Sequence, residues 1–259
     1  MLKMERQDSI VALCDKGGTV SVRNLSESLG ISEMTVRRDL EELSQAGRLI
    51  RVHGGAKSCA PTRHTLVDHE HSHGEKSQLH RSQKEHAARL AASLIEADDS
   101  IYLGTGTTVE AMVAFLPTEP LRIVTSSLAV FMRLIDLEAY ESGLYDLHLL
   151  GGSYHKSTMA FVGPWADDVM AKVGLNRTYV GANGIAGNSV FGHTVDAARL
   201  QQTAISVADN SYVVTDSSKF GRRDFSAFCK LSDLTAVVTD SKITPGQREE
   251  IEQFCSMLC

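Results

Sequence analysis

Apolar positions in the first 57 residues recur at helical spacing in three short stretches. Ile10, Val11, Leu13 and Cys14 lie among charged residues between 4 and about 16, and Gly17-Gly18 then suits a helix C-terminus. Val22, Leu25 and Leu29 follow at i, i+3 and i+7 behind Ser21, a residue type that caps helix N-termini. Gly30-Ile31 makes a tight turn. Ser32 then caps a third helix, in which Val36, Leu40 and Leu43 form the core stripe until Gly47. Leu49, Ile50 and Val52 precede Gly54-Gly55, a hairpin pattern. This order predicts a winged helix-turn-helix over residues 1–57.

From 58 to 83 the periodicity dissolves into polar residues and histidines, which reads as a linker. Beyond it helix and strand patterns alternate. Helices are expected at 84–95, 107–115, 127–134, 164–172, 196–208 and from 245, and strands at 100–103, 121–125, 146–150, 177–181, 211–215 and 236–239. Such alternation predicts an α/β domain over 84–259, with a mostly parallel sheet covered by helices on both faces. Ligands of these sheets sit beyond the carboxyl ends of the strands, so the loops there are the first place to look for chemistry.

Composition narrows the class. No apolar run approaches the roughly 20 residues that span a bilayer, and no secretory signal opens the chain, so a soluble, cytoplasmic protein is expected. Five scattered cysteines without a Cys-x-x-Cys pair predict reduced thiols and no structural zinc. The net charge of −6 is unevenly placed. Residues 1–60 hold nine Lys/Arg against eight Asp/Glu, and the remainder holds 17 against 24. A DNA reader so weakly charged needs local cation placement and more than one copy, which predicts a homo-oligomer, dimer or tetramer.

On the third helix Val36, Leu40 and Leu43 share one face, while Met34, Arg38 and Glu41 fall on the other. Arg38 is the first candidate for a base contact, since Arg can bond two acceptors of guanine. Arg37 could reach a phosphate, and Ser32 and Thr35 suit phosphate or thymine-methyl contacts. Arg48, Arg51, His53 and Lys57 decorate the expected wing. Pairing of Arg37 and Arg38 with Glu41 and Glu42 would explain an isolated Arg pair as well; the order of the surrounding elements favours DNA.

Glu5-Arg6, the run Met34-Thr35-Val36-Arg37-Arg38-Asp39-Leu40, and Arg51-Val52-His53-Gly54-Gly55-Ala56 resemble the N-terminal signature of the DeoR family of bacterial transcriptional repressors. The resemblance implies double-stranded operator DNA as partner and release by a phosphorylated sugar. Residues 103–110, 160–163, 201–202 and 216–225 resemble the branch that controls lactose phosphotransferase operons, which implies tagatose-6-phosphate as effector. The resemblance also places the second domain near the ribose-5-phosphate isomerase fold.

Several strand ends carry small and hydroxyl residues suited to a polyol phosphate. They are Gly104, Gly106, Thr107 and Thr108; Thr125, Ser126 and Ser127; Gly151 and Gly152; and Asn183 and Gly184. Asp216 offers an acceptor for a sugar hydroxyl and Lys219 a point charge for phosphate. An isomerase on this fold would need a carboxylate base near the substrate carbons. The run Gly181-Ala182-Asn183-Gly184-Ile185-Ala186-Gly187 lacks acidic residues, although Asp196 and Asp216 lie near strand ends. A binder is therefore expected, with no cofactor and no metal. His64, His69, His71 and His73 could gather a transition metal, but nothing nearby is spaced to complete the site.

Overall fold

The computed structural model describes residues 3–17, 19–52, 54–58 and 72–259. The chain divides into two compact units, with the boundary between residues 65 and 66. The first contains α1 (Lys3–Gly17), β1 (Thr19–Ser21), α2 (Val22–Leu29), α3 (Glu33–Gln45), β2 (Leu49–Val52) and β3 (Gly55–Ser58). Caps set the turn between α2 and α3. The Ser21 and Ser32 hydroxyls accept from the backbone N–H of Asn24 and Thr35, and Gly30 takes φ 64°, a left-handed conformation that favours glycine. Ile10, Leu25, Val36, Leu40, Leu43 and Leu49 are fully buried together, so the stripe on α3 is the core side of that helix.

The hairpin is part of a three-stranded sheet in the order β1-β3-β2. Thr19–Ser21, between the first two helices, forms its third strand, paired antiparallel to β3. A Cβ at Gly55 would lie 2.2 Å from the Val20 carbonyl oxygen. Only glycine allows that crossing.

The second unit opens with α4 (His73–Gln78) and α5 (Arg81–Ala92), so residues expected as linker are helical from 73. Next come β4 (Ser100–Leu103), α6 (Thr107–Met112), β5 (Leu121–Thr125), α7 (Leu128–Ile135), α8 (Glu138–Glu141) and β6 (Tyr145–Leu149). The hairpin β7 (Ser153–His155) and β8 (Ala160–Val162) leads to α9 (Pro164–Met170), β9 (Leu175–Val180), β10 (Gly184–Ala186), β11 (Ser189–Gly192), α10 (Val195–Ser206) and β12 (Ala208–Val214). The last elements are β13 (Ser226–Lys230), β14 (Ala236–Val238), α11 (Pro245–Glu252) and β15 (Ser256–Leu258).

Seven strands form one parallel sheet in the order β15-β14-β12-β9-β4-β5-β6. Side chains alternate between two cores, as the period of a strand requires. Ile101 and Leu103 join the cluster packed by Ala87, Ala88 and Ala91 of α5, whereas Tyr102 joins the one packed by Leu200 and Ala204 of α10. Helices thus cover both faces. The strand order reverses between β4 and β9, which makes the carboxyl ends of these two strands the place for a ligand crevice. Beside the sheet, β10, β11 and β13 form a small antiparallel sheet that the sequence pattern did not reveal.

Among the described residues no helix is long and apolar enough to cross a membrane, and no group of three or more His, Cys, Asp or Glu could hold a metal ion. Of the histidines considered for a metal, His64, His69 and His71 lie outside the described residues. His73 pairs instead with Glu110, Nε2 to Oε2 at 2.8 Å.

Candidate functional site

Two surfaces carry the candidate chemistry, one in each unit. On the first, Met34 and Arg38 of α3 stand out to solvent, 77% exposed for Met34 and 81% for the Arg38 side chain. They share a shallow depression with Thr35, Arg37 and Arg51, and also with Lys3 and Arg6 of α1, two cations that were not among the expected DNA contacts. Arg37 pairs with Glu33 at 3.4 Å and Arg38 with Glu42 at 3.6 Å. Both are i,i+4 pairs with exposed guanidiniums, worth only a few tenths of a kcal/mol, so either guanidinium can be drawn to an anion at small cost. The buried carboxylate of Asp39 is held by Arg6 in a two-pronged contact of 2.5 and 3.1 Å, which ties α1 to α3.

The remaining basic residues divide. Arg51 donates to the carbonyl of Arg37 at 3.1 Å and pairs with Glu41 at 3.3 Å, so it braces α3 from the hairpin. Arg48 precedes β2 and pairs with Asp8 of α1 at 2.8 Å; it is not on the wing. Lys57 is exposed on β3, Ser32 serves as the cap of α3, and His53 lies outside the described residues.

In the second unit a cleft opens where β4 and β9 end. Gly106 from the loop after β4, Thr107 and Thr108 from the first turn of α6, Asn183 from the loop after β9, and Asp216 and Lys219 from the loop after β12 all line it. The first two loops touch backbone to backbone. A Cβ at Gly181 would lie 2.6 Å from the Thr105 carbonyl oxygen, and Gln201 of α10 bridges both loops, donating to Thr105 Oγ1 at 3.4 Å and the Gly181 carbonyl at 3.5 Å.

Other expected residues stay out of the cleft. Thr125, Ser126 and Ser127 are buried and spend their hydroxyls within the fold. Thr125 donates to the Leu103 carbonyl, Ser126 pairs with the Tyr102 hydroxyl, and Ser127 caps α7. Gly151 and Gly152 lead into the β7–β8 hairpin, where Gly152 backs onto Val162. Gly104 packs on Tyr102 and the Tyr179 carbonyl, while Gly184 gives room for the backbone of Arg222. Gly104 and Gly184 thus serve close packing, and none of the seven lines the cleft. Asp196 is exposed on α10, also away from it.

The sequence reading missed the far wall. His73 and Lys76 of α4, His80, and Lys84 of α5 line the cleft, as do His193 and Arg222. Lys84 is buried and donates to the Lys76 carbonyl. Burial pushes its ammonium down to about 8, with Lys219 and Lys76 adding to the effect and Asp216 and Glu110 opposing it. Lys219 is lowered as well, chiefly by burial, and again Asp216 opposes. Asp216 is 1% exposed; its Oδ1 accepts from the Ser218 N–H, while its Oδ2 has no hydrogen-bond partner among the described residues. A buried and a half-buried lysine beside an under-satisfied carboxylate make a receptor for a molecule with both an anionic group and hydroxyls.

A helix-turn-helix unit with an exposed basic helix face, and an α/β unit with a cation-lined cleft at its switch point, define a ligand-sensing transcriptional regulator. Residues 6–62 match the DeoR-like helix-turn-helix domain and residues 79–241 the DeoR C terminal sensor domain. The chain belongs to the DeoR family and is a DNA-binding repressor of that kind. It is 38% identical over 240 residues to the lactose phosphotransferase system repressors of Streptococcus mutans serotype c and Staphylococcus aureus strain N315, with 93% of each chain covered. The likeness to the lactose phosphotransferase system repressor of Staphylococcus epidermidis strain RP62A is 36% over 258 residues and the whole of both chains. Among solved structures, ribose 5 phosphate isomerase A from Neisseria gonorrhoeae aligns with a TM-score of 0.37 and 17% identity, over 54% of this chain and 53% of that one.

Proposed function

We propose that this protein represses a lactose-type phosphotransferase operon from the cytoplasm, binding its operator as a homo-oligomer and leaving it when a ketohexose phosphate such as tagatose-6-phosphate fills the sensor cleft. The observation that carries this reading is the meeting of Lys84, Lys219 and Asp216 in one crevice. The lysines offer charge to the phosphate, and Asp216 Oδ2 accepts from a sugar hydroxyl. Arg38, with Arg37, Thr35 and Met34, reads bases or their flanking phosphates, and Ser32 and Lys57 add backbone contacts. Ligand that favours a sensor arrangement incompatible with operator spacing lowers DNA affinity by the coupling free energy, typically about 1–3 kcal/mol. The residues between β3 and α4 join the two functions.

A second reading, an isomerase carrying a DNA-binding domain, draws on Asp216 beside two lysines of lowered basicity. Incubation of the pure protein with ribose, galactose and tagatose phosphates, followed by NMR, separates the two: binding without interconversion supports the sensor, and turnover refutes it. A thermal-shift screen against the same sugar phosphates identifies the effector.

A further inference from the structure

Asp224 lies behind the cleft wall, 4% exposed, in the loop ahead of β13. Its Oδ2 accepts from Asn183 Nδ2 at 2.7 Å. Its Oδ1 accepts from His193 Nδ1 at 3.2 Å and from the Phe225 N–H at 2.7 Å. Asn183 and His193 both line the cleft, whereas Asp224 does not.

A carboxylate only accepts, so it forces Asn183 to turn its Nδ2 inward and its carbonyl Oδ1 the other way. The second side of the amide agrees, because Oδ1 accepts from Lys76 Nζ at 3.4 Å. The backbone is fixed too, with the Asn183 N–H donating to the Phe191 carbonyl at 2.9 Å. The imidazole of His193 is likewise held with its Nδ1 hydrogen on Asp224, which sets the ring's orientation in the cleft.

We infer that Asp224 is a positioning residue that fixes Asn183 and His193 as the hydroxyl-reading side of the cleft, and so sets which sugar configuration is accepted. This rests on the sugar-phosphate reading above and deepens it. Lys84 and Lys219 attract any phosphate; an amide and an imidazole of fixed orientation distinguish epimers. A hydroxyl turned the wrong way leaves Asn183 or His193 unsatisfied once the sugar fills the cleft, which costs roughly 10- to 100-fold in affinity.

The test is calorimetry on the full chain with D-tagatose 6-phosphate, D-fructose 6-phosphate and inorganic phosphate, the two ketoses differing only in configuration at C4. Wild type is expected to favour one ketose by at least about 10-fold. Asp224→Asn keeps the volume but confronts Asn183 Nδ2 with a donor or makes the amide rotate, so the ratio should fall toward one while inorganic phosphate binds within about twofold of wild type. Asn183→Ala removes the reader itself and should do the same even if Asp224→Asn fails to fold. A wild-type ratio retained by either folded variant overturns the proposal. So does an equal loss for ketoses and inorganic phosphate, or a wild type that binds both ketoses alike. A wild type that binds phosphate but neither ketose refutes the sugar-phosphate reading itself, and this inference with it.

Discussion

Replacing Lys84 by Met should make the ligand-free protein more stable and the sensor unresponsive. The ammonium is buried, and the cost of holding that charge inside lowers it from 10.5 to about 8. At full strength the penalty is about 3 kcal/mol. Solvent screening at a cleft wall, and the lost hydrogen bond to the Lys76 carbonyl, reduce the net gain to about 1–2 kcal/mol. In a domain of this size that gain raises Tm by about 2–8 °C. Because the amine's folded pKa is lowered, the unfolded chain binds more protons between pH 8 and 10.5. Wild-type stability therefore rises with pH through that window, and the Met variant lacks the rise. An anionic ligand favours the charged amine, so sugar-phosphate affinity should weaken as pH climbs through about 8 in the wild type. Differential scanning fluorimetry from pH 7 to 10, with and without tagatose-6-phosphate, reads all three effects. A lower Tm in the ligand-free Met variant, or a ligand-induced shift equal to wild type, would refute the reasoning.

Leu40→Ala opens a cavity in the fully buried core of the DNA-binding unit and should cost about 2–5 kcal/mol, abolishing operator binding while calorimetry still detects ligand. Arg38→Ala, at an exposed site, should leave Tm unchanged and lose about 1–3 kcal/mol of discrimination between operator and random DNA in gel shifts. Gly181→Ala drives a methyl to 2.6 Å from the Thr105 carbonyl oxygen, so the two loops must part. Overpacking of this kind costs about 1–3 kcal/mol, and ligand affinity should fall by at least about tenfold, measured by calorimetry.

The parts of the fold legible in the sequence are those where burial imposes a period. The α3 stripe and the alternating cores of β4, β12 and β14 are of this kind. Helix α4 had no such signal, for none of its six residues is buried. What marks it is the capping box Ser72-His73-Gly74-Glu75, whose two side chains satisfy each other's backbone N–H. The strands of the β10-β11-β13 sheet are three to five residues long, too short for alternation to register. The cleft divides in the same way. Loops that follow parallel strands could be found, and Asn183, Asp216 and Lys219 come from them. Hydroxyl-rich loops were over-read, because Thr125 and Ser127 turn inward to satisfy the neighbouring backbone. Lys76 and Lys84 come from helices that precede the sheet in the chain and that tertiary packing brings to the cleft, and no local pattern announces that.

The most direct test is fluorescence anisotropy of an operator fragment, obtained by in-vitro selection with the purified protein, titrated with tagatose-6-phosphate. Wild-type protein should release the fragment with a 5- to 150-fold loss of affinity, whereas Lys219→Ala binds the same fragment normally and is not released. A wild-type complex untouched by every sugar phosphate in the panel, or a Lys219→Ala protein released as readily as wild type, would contradict that expectation.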